Sequence, residues 1–202
     1  MRHHDAAATA GGFSDPVFDS QAVFAAIMNA FARPGTVADL NGRASAPAPL
    51  ADAAAAFLAA LADFDTPVWL DVTLRAAPGL REWIAFQTGA PLTDTPDAAA
   101  FAVFSDAAGL TAMERFAIGT PAYPDRAATL VVQVEALAGG APLTLSGPGI
   151  ETTATIAPRG LPERFATLWT RNNALFPLGV DLLLVSGSRA LALTRTTRIR
   201  ED

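Results

Sequence analysis

The order of helical and extended segments in the first half of the chain constrains its fold more than any other feature. Apolar residues recur at helical spacing in three segments, residues 19–33, 50–64 and 79–88, and we expect Gly89 to end the third. Short apolar stretches typical of strands lie between and after them, at residues 36–40, 68–72 and 100–104. Because each such helix has one apolar face to bury, the alternation favours helices packed against a sheet.

The second half of the chain favours antiparallel strands. Its extended segments are residues 128–137, 142–146, 152–156, 180–185 and 189–193. Gly139 and Gly140 predict a hairpin turn between the first two segments, and Gly187 predicts another between the last two. A helix over residues 161–173, with Pro162 in its first turn, separates the two hairpins. We therefore predict an α/β fold with a mixed sheet flanked by helices.

The domain organisation predicted from the sequence is simple. Length and the absence of an internal repeat or long linker indicate one domain over residues 1–202. Residues 1–15 precede the first periodic segment, and we expect them to form a flexible N-terminal tail. We expect the first helix to begin at a cap provided by Asp19 or Ser20 and to end at Pro34 and Gly35.

Charge and hydropathy exclude two kinds of partner. The net charge of -6 and the pI near 4.8 argue against nucleic acid, because an acidic surface is repelled by a phosphate backbone. The longest apolar run, residues 53–62, is half of the roughly 20 residues that cross a bilayer. The first residues show no apolar signal sequence. We therefore expect a cytoplasmic protein that binds neither nucleic acid nor membrane.

Reactive side chains are scarce in this sequence. It contains no cysteine, and all 14 of its cationic side chains are arginines, so thiolate chemistry and a lysine Schiff base to pyridoxal phosphate are excluded. The two histidines are His3 and His4, ahead of the predicted elements, which leaves the predicted domain without an imidazole for acid–base catalysis or metal ligation. We therefore expect no catalytic residue, no metal and no cofactor.

Two motifs have both a functional and a structural interpretation. Residues 146–150, with the sequence SGPGI, have glycines that allow backbone N–H groups to approach a phosphate, but a turn between two strands is favoured. Asp63, Asp65 and Asp181 offer carboxylates for Mg²⁺ or for acid–base catalysis, although nothing in the sequence places them together. Asp65 lies directly before Thr66-Pro67, so helix termination is the favoured interpretation there.

Polar residues at the ends of predicted elements are the candidates for binding a ligand or a partner, because sites collect at such positions. They are Arg33, Asp65, Thr66, Arg195, Thr196 and Arg198. The guanidinium and hydroxyl groups of residues 195–198 suit an anion or an acidic partner surface. We expect replacement of Arg195 by alanine to weaken such binding with little loss of stability.

Seven segments in this order resemble the H subunit (PhnH) family of the bacterial carbon-phosphorus lyase system, which breaks down phosphonates. They are FAAIMNAFARPG (24–35), LADFDTPVWL (61–70), FQTGAPL (86–92), ATLVVQV (128–134), SGPGI (146–150), FPLGVDLLL (176–184) and RTT (195–197). No single segment is specific, but their order and spacing cover nearly the whole chain. Ala25 and Thr194 depart from the family pattern, which often has Arg and Pro there.

The resemblance implies a fold similar to that of pyridoxal-phosphate-dependent transferases, without their cofactor. It also implies a homodimer that assembles with the G, I and J subunits. That complex helps convert ATP and an alkylphosphonate to ribose 1-phosphonate 5-triphosphate, and the iron–sulfur and radical chemistry belongs to another subunit.

The resemblance therefore favours a non-catalytic subunit that has no activity alone. Two alternatives remain open: a module that binds a nucleotide or phosphonate, and a stand-alone enzyme that uses carboxylates or a metal.

Overall fold

The computed structural model describes residues 9–201, without the side chain of Glu201. His3 and His4 lie outside the described residues. The helices are α1 Pro16–Ala32, α2 Asp52–Leu61, α3 Val72–Ala76, α4 Leu80–Thr88 and α5 Phe165–Asn173. The strands are β1 Val37–Asp39, β2 Val68–Leu70, β3 Leu92–Thr93, β4 Phe101–Phe104, β5 Thr129–Gln133, β6 Leu143–Ser146, β7 Ala154–Ile156, β8 Asp181–Ser186, β9 Arg189–Leu193 and β10 Arg198–Glu201.

The strands form two sheets. The large sheet has seven strands in the order β1-β9-β8-β5-β4-β2-β3, and the small sheet has three in the order β10-β6-β7. In the large sheet β3, β2, β4, β5 and β8 are parallel, whereas β9 is antiparallel to both of its neighbours. The predicted α/β fold with a mixed sheet and flanking helices is confirmed.

Side-chain alternation along the central strands separates two hydrophobic cores. In β5, Val131 faces the helices α1 to α4, while Leu130 and Val132 face the opposite side. The helical side is built on Ile27, Phe57 and Trp83 from α1, α2 and α4. The opposite side combines Trp169 of α5 with side chains of the small sheet. The molecule thus has three layers: four helices, the large sheet, and α5 with the small sheet.

Helix α1 begins before either of the two predicted caps. Asp15 is the N-cap, its carboxylate accepts a hydrogen bond from the Phe18 N–H, and Pro16 occupies the first turn. The predicted caps, Asp19 and Ser20, both lie inside the helix. Asp19 is buried and pairs with Arg43 across 2.5 Å, so its side chain joins the helix to the segment after β1.

The hairpin predicted between residues 128–137 and 142–146 is wrong. β5 lies between the parallel strands β4 and β8, and β6 pairs with β7 and β10 in the small sheet. The physical reason is visible in the burial patterns. β5 is buried at four of its five positions, as a central parallel strand must be, whereas buried and half-buried positions alternate along β6.

Several other local predictions are confirmed. Gly89 ends α4 in the left-handed conformation, with a φ of 70°. The final hairpin joins β8 to β9, and SGPGI is the start of the connection from β6 to β7. Val72, predicted as the end of a strand, instead begins α3 because Asp71 caps that helix through the Leu74 N–H.

The described part of the predicted N-terminal tail contacts the rest of the chain. The Trp83 indole donates to the Ala10 carbonyl over 2.9 Å, the Ser45 N–H donates to the Gly11 carbonyl over 2.7 Å, and Phe13 packs on the core. The one-domain organisation stays a prediction. No helix within residues 9–201 has the length and hydropathy to cross a membrane.

Candidate functional site

The large sheet has two edges at which strands end and connections begin. At the amino edge the parallel strands start, and the segments around Asp181, Val68 and Arg195 lie there. At the carboxyl edge the same strands end, and Asp71, Ser105 and Gln133 lie there. Five of the six predicted contact residues are at the amino edge, whereas Arg198 lies on β10 of the small sheet.

Arg195 uses its donors inside the chain. Its Nη2 lies 2.5 Å from Asp181 Oδ2, its Nε donates to Asp181 Oδ1 over 3.2 Å, and its Nη1 donates to the Pro124 carbonyl over 2.7 Å. The side chain is 13% exposed. Because these contacts join β8, the turn after β9 and the segment before β5, Arg195 stabilises the amino edge. A role for it in binding stays a prediction.

Three motifs that are distant in sequence meet at the amino edge. They are the end of α1 (FAAIMNAFARPG), the glycine-rich turn SGPGI and the segment RTT. The glycine-rich turn packs against both remaining motifs: a Cβ on Gly149 would lie 2.1 Å from the Ala32 carbonyl, and one on Gly147 would lie 3.0 Å from the Thr196 carbonyl. Thr196 shares a hydroxyl contact with Thr194, and Arg198 is exposed on β10. These glycines therefore allow the backbones of the three motifs to pack closely against one another.

Arg33 has no ion-pair partner among residues 9–201. It lines a groove of about 240 Å³ with Asn29 and Thr36, between the end of α1 and the edge strand β1. Of the predicted arginines at the amino edge, it is the one whose guanidinium stays available.

Asp65 and Thr66 belong to a turn ahead of β2. The Asp63 carboxylate accepts hydrogen bonds from the Thr66 hydroxyl over 2.7 Å and from the Asp65 N–H over 2.9 Å. The Thr66 hydroxyl, followed by the Asp65 N–H, lowers the pKa of Asp63 below its ordinary 3.8. β2 and β8 are three strand spacings apart, about 14 Å, so Asp65 and Thr66 are not brought together with Arg195.

A carboxylate joins the ends of β2 and β4 at the carboxyl edge. Asp71 Oδ2 accepts from the Ser105 N–H and from the Ser105 hydroxyl, both over 2.6 Å, while its Oδ1 caps α3. The chain places β3 on one side of β2 and β4 on the other, so this is the switch point of the parallel strands. Open α/β sheets bind ligands in the crevices at this kind of position.

One cleft opens beyond the ends of β4, β5 and β8, with a volume of about 470 Å³. We call it the polar cleft; its side-chain polar groups come from Ser105, Asp106, Gln133, Glu135 and Ser186. The buried Gln133 holds its floor, because its amide donates to the Pro49 and Ser105 carbonyls over 3.0 Å each and accepts from the Ala51 N–H. The lining of this cleft has two carboxylates and no guanidinium.

A second cleft, of about 390 Å³, lies beyond the ends of β2 and β3. We call it the arginine cleft; its lining is Trp69, Leu70, Val72, Arg75, Asp94, Pro96 and Arg115. The Arg115 guanidinium lies over the Trp69 ring, 5.0 Å from its centroid, and over the Phe116 ring at 4.9 Å. Arg75 is paired with Asp94 and donates to the Leu70 carbonyl over 3.1 Å.

Neither cleft was predicted from the sequence. Arg75 lies in a five-residue helix that was not predicted, directly after the segment predicted as a strand to residue 72. Arg115 lies in a short 3-10 helix at Met113–Arg115. Their convergence depends on strand order, which periodicity does not reveal. The local signal that was available was the Asp71 cap, since an Asp three residues before Leu74 is typical of a helix start.

Asp63, Asp65 and Asp181 are the carboxylates considered from the sequence as ligands for a metal ion. Within residues 9–201 there is no group of three or more His, Asp or Glu side chains placed to hold an ion. Asp181, considered in the sequence as a metal ligand, is the ion-pair partner of Arg195.

Comparison with known proteins gives a consistent result. The family model described as bacterial phosphonate metabolism protein (PhnH) matches residues 11–200. The alpha-D-ribose 1-methylphosphonate 5-triphosphate synthase subunit PhnH of Rhizobium meliloti (strain 1021) is 48% identical over 192 residues, which are 95% of this chain and 96% of that protein. The putative C-P lyase subunit protein HtxG of Stutzerimonas stutzeri is 39% identical over 82 residues, 41% of this chain and 42% of that protein. The chain therefore belongs to the PhnH family of bacterial phosphonate metabolism proteins, as the sequence motifs indicated.

Proposed function

We propose that this chain is a non-catalytic subunit of an enzyme complex that forms alpha-D-ribose 1-alkylphosphonate 5-triphosphate from ATP and an alkylphosphonate. The observation that carries the proposal is the 48% identity, over 95% of this chain, to a protein named as a subunit of such a synthase. Identity of that degree over a whole chain supports a shared fold and, as part of the proposal, shared surfaces for assembly.

The side chains of the protein support a role without chemistry of its own. The sequence has neither lysine nor cysteine, and its histidines lie ahead of residue 9. Its most buried ion pair at the amino edge, Arg195 with Asp181, joins strands. Catalysis would then belong to the partners, which we propose to be the G, I and J subunits of the carbon-phosphorus lyase system.

We further propose that the chain forms a homodimer through the outer face of α1. Val17, Phe18, Phe24 and Met28 are 72%, 69%, 50% and 37% exposed on this helix. Its one charged residue, Asp19, is buried. Two copies with a net charge of -6 each repel one another, and an uncharged apolar face is where they meet at the lowest electrostatic cost.

A matched pair of variants tests the homodimer. Phe24→Asp on α1 should shift the sedimenting species from dimer to monomer. Phe86→Asp, a charge placed on a 63% exposed ring of α4, should leave the dimer intact. A dimer that survives Phe24→Asp, or a monomeric unmodified chain, would reject this surface.

Two finer points are part of the proposal. The complex works in the cytoplasm, where its nucleoside triphosphate is available. The mixed sheet with helices on both faces supports a relation to the fold of pyridoxal-phosphate-dependent transferases, and the absence of lysine supports the lack of their cofactor.

Co-expression tests the function. The chain should co-purify with the other subunits, and the assembled complex should release adenine from ATP in the presence of methylphosphonate. The chain alone should show no turnover under the same conditions. Turnover by the isolated, contaminant-free chain would favour the stand-alone enzyme, and failure to co-purify would overturn the subunit role.

A further inference from the structure

The arginine cleft contains a guanidinium that is positioned without an anionic partner. Arg115 has no ion pair among residues 9–201, and its side chain is exposed. Its guanidinium is nevertheless placed by two rings, those of Trp69 and Phe116, at about 5 Å each. Both rings are buried and pack edge to face, 5.3 Å between centroids, so they give the guanidinium a rigid platform. Its N–H groups are therefore free to bind an anion with little loss of side-chain entropy.

The second guanidinium of the cleft has a partner that is easily displaced. Arg75 pairs with Asp94, whose side chain is 87% exposed. An ion pair so open to solvent is weak, because water and salt screen it. Arg75 is also held by the Leu70 carbonyl, so its guanidinium would stay in place when the Asp94 carboxylate swings away. A doubly charged anion would compete successfully with this single carboxylate.

The remaining wall of the cleft is apolar. Val72 is 82% exposed beside it, and Trp69 and Pro96 complete the lining. An apolar wall next to two guanidiniums suits a compound with a tetrahedral dianion at one end and a small alkyl group at the other.

We propose that the arginine cleft binds the phosphonate group of an alkylphosphonate, with Arg75 and Arg115 contacting its oxygens and Val72 and Pro96 contacting its alkyl group. The choice of a phosphonate among tetrahedral dianions rests on the proposed function; the anion site itself rests on the geometry. The chain then takes part in the reaction by holding substrate, in addition to assembling the complex.

The polar cleft is the alternative location, and its charge argues against it. Asp106 and Glu135 line it, and Arg159, which pairs with Glu135 over 2.9 Å, is not part of its lining. A dianion would meet two carboxylates there. The larger of the two clefts is therefore electrostatically unsuited to this ligand, whereas the smaller is suited to it.

Calorimetric titration of the intact isolated chain with methylphosphonate tests the proposal, with inorganic phosphate as the second probe. Arg115→Ala and Arg75→Ala should each lower the affinity at least about tenfold, because each removes a charge-assisted hydrogen bond to the ligand. Asp94→Asn should raise it about threefold or more, because it removes the competing carboxylate. Arg189→Ala is the matched control: it removes an exposed arginine that has no ion pair among residues 9–201 and lies outside the cleft, and affinity should change less than about twofold.

The two probes and the variants also distinguish a phosphonate from a free phosphate and from an acidic segment of a partner. Methylphosphonate should bind more tightly than phosphate if its methyl group contacts the apolar wall, and Val72→Asp should abolish that preference. Absence of binding at millimolar concentration, equal loss in Arg189→Ala, or unchanged affinity in both cleft variants would each overturn the proposal. The proposal would also be overturned if the unmodified chain bound neither small anion and Arg115→Ala no longer co-purified with the other subunits. That result would indicate that the cleft binds an acidic segment of a partner. Anion binding is measured on the isolated chain, whereas the subunit role is measured by co-purification. Either proposal can therefore fail while the other is confirmed.

Discussion

Arginines at the two edges of the large sheet differ in how many of their hydrogen-bond donors the folded chain uses. At the amino edge, Arg195 is 13% exposed and its guanidinium contacts Asp181 and a carbonyl through all three nitrogens. At the carboxyl edge, Arg115 lies over two aromatic rings and has no anionic partner among residues 9–201. Both side chains carry the same charge, but one has its hydrogen-bonding capacity used within the fold and the other has it available.

The difference shows how a structural arginine is distinguished from a candidate for binding. A guanidinium has five N–H donors, and the energetic role of the residue depends on how many of them the folded chain already uses. In this protein the residues chosen from sequence lie mainly at the amino edge, where the donors of Arg195 are occupied. The free donors of Arg115 belong to the cleft beyond β2 and β3 at the carboxyl edge, the edge at which open α/β sheets usually bind ligands.

Arg195→Ala gives the largest effect that this comparison predicts. It removes the guanidinium contacts of Asp181 and of the Pro124 carbonyl, while the backbone N–H of residue 195 still donates to Asp181 Oδ1. We expect the free energy of unfolding to fall by about 2–4 kcal/mol. This revises the small stability loss expected from the sequence alone. Arg115→Ala is the control: it removes exposed cation–π contacts and should cost about 1 kcal/mol or less. Urea denaturation followed by circular dichroism measures both variants.

The outcome that contradicts the comparison is also specific. If Arg195→Ala unfolds at the same urea concentration as the unmodified chain, its contacts do not stabilise the amino edge. The residue would then return to the set of binding candidates alongside Arg33.

Asp71→Ala should have the second largest effect, because Asp71 joins the ends of β2 and β4 at the switch point. The variant loses the cap of α3 and leaves the Ser105 N–H without its acceptor, which together cost about 2 kcal/mol. Asp94→Ala removes a carboxylate that is 87% exposed, and its stability should stay within about 0.5 kcal/mol of the unmodified chain. Equal stability of the two variants in urea would show that the switch point is not held by Asp71.

Much of the fold was accessible from the sequence because local signals determine it. Gly89 ends α4 as its position indicated, and the alternation of helices and strands led to the α/β class. The pairing of β5 was not accessible in the same way. An apolar segment followed by two glycines suits either a hairpin with β6 or a central parallel position. The two alternatives differ in whether both faces of the strand are buried, and that burial is seen only in the folded molecule.

The candidate site was less accessible, since its residues are joined by contacts between distant segments. Arg115 meets Trp69 across 46 positions of sequence, and Asp71 meets Ser105 across 34. No spacing rule connects residues so far apart. The exposed face of α1 was also hidden, because Phe24 and Met28 continue an apolar stripe that resembles a core-facing one, yet only Val23, Ile27 and Ala30 of its apolar residues are buried.

The smallest predicted effect concerns pH and compares one carboxylate from each edge. The Asp15 N–H, with Arg43 and Ser14, lowers the pKa of Asp19 at the carboxyl edge, and the Thr66 hydroxyl with the Asp65 N–H lowers that of Asp63 at the amino edge. A carboxyl whose pKa is lower in the folded state stabilises the protein fully above its ordinary pKa of 3.8, and this stabilisation is lost as pH falls through the folded value.

Asp19→Asn and Asp63→Asn should therefore each lower stability at pH about 6 and have progressively less effect below pH about 4. Added salt should reduce the effect of Asp19→Asn alone, because only Asp19 has a guanidinium partner, 2.5 Å away. Urea denaturation at both pH values, with and without salt, measures this, and an equal salt dependence of the two variants would contradict it.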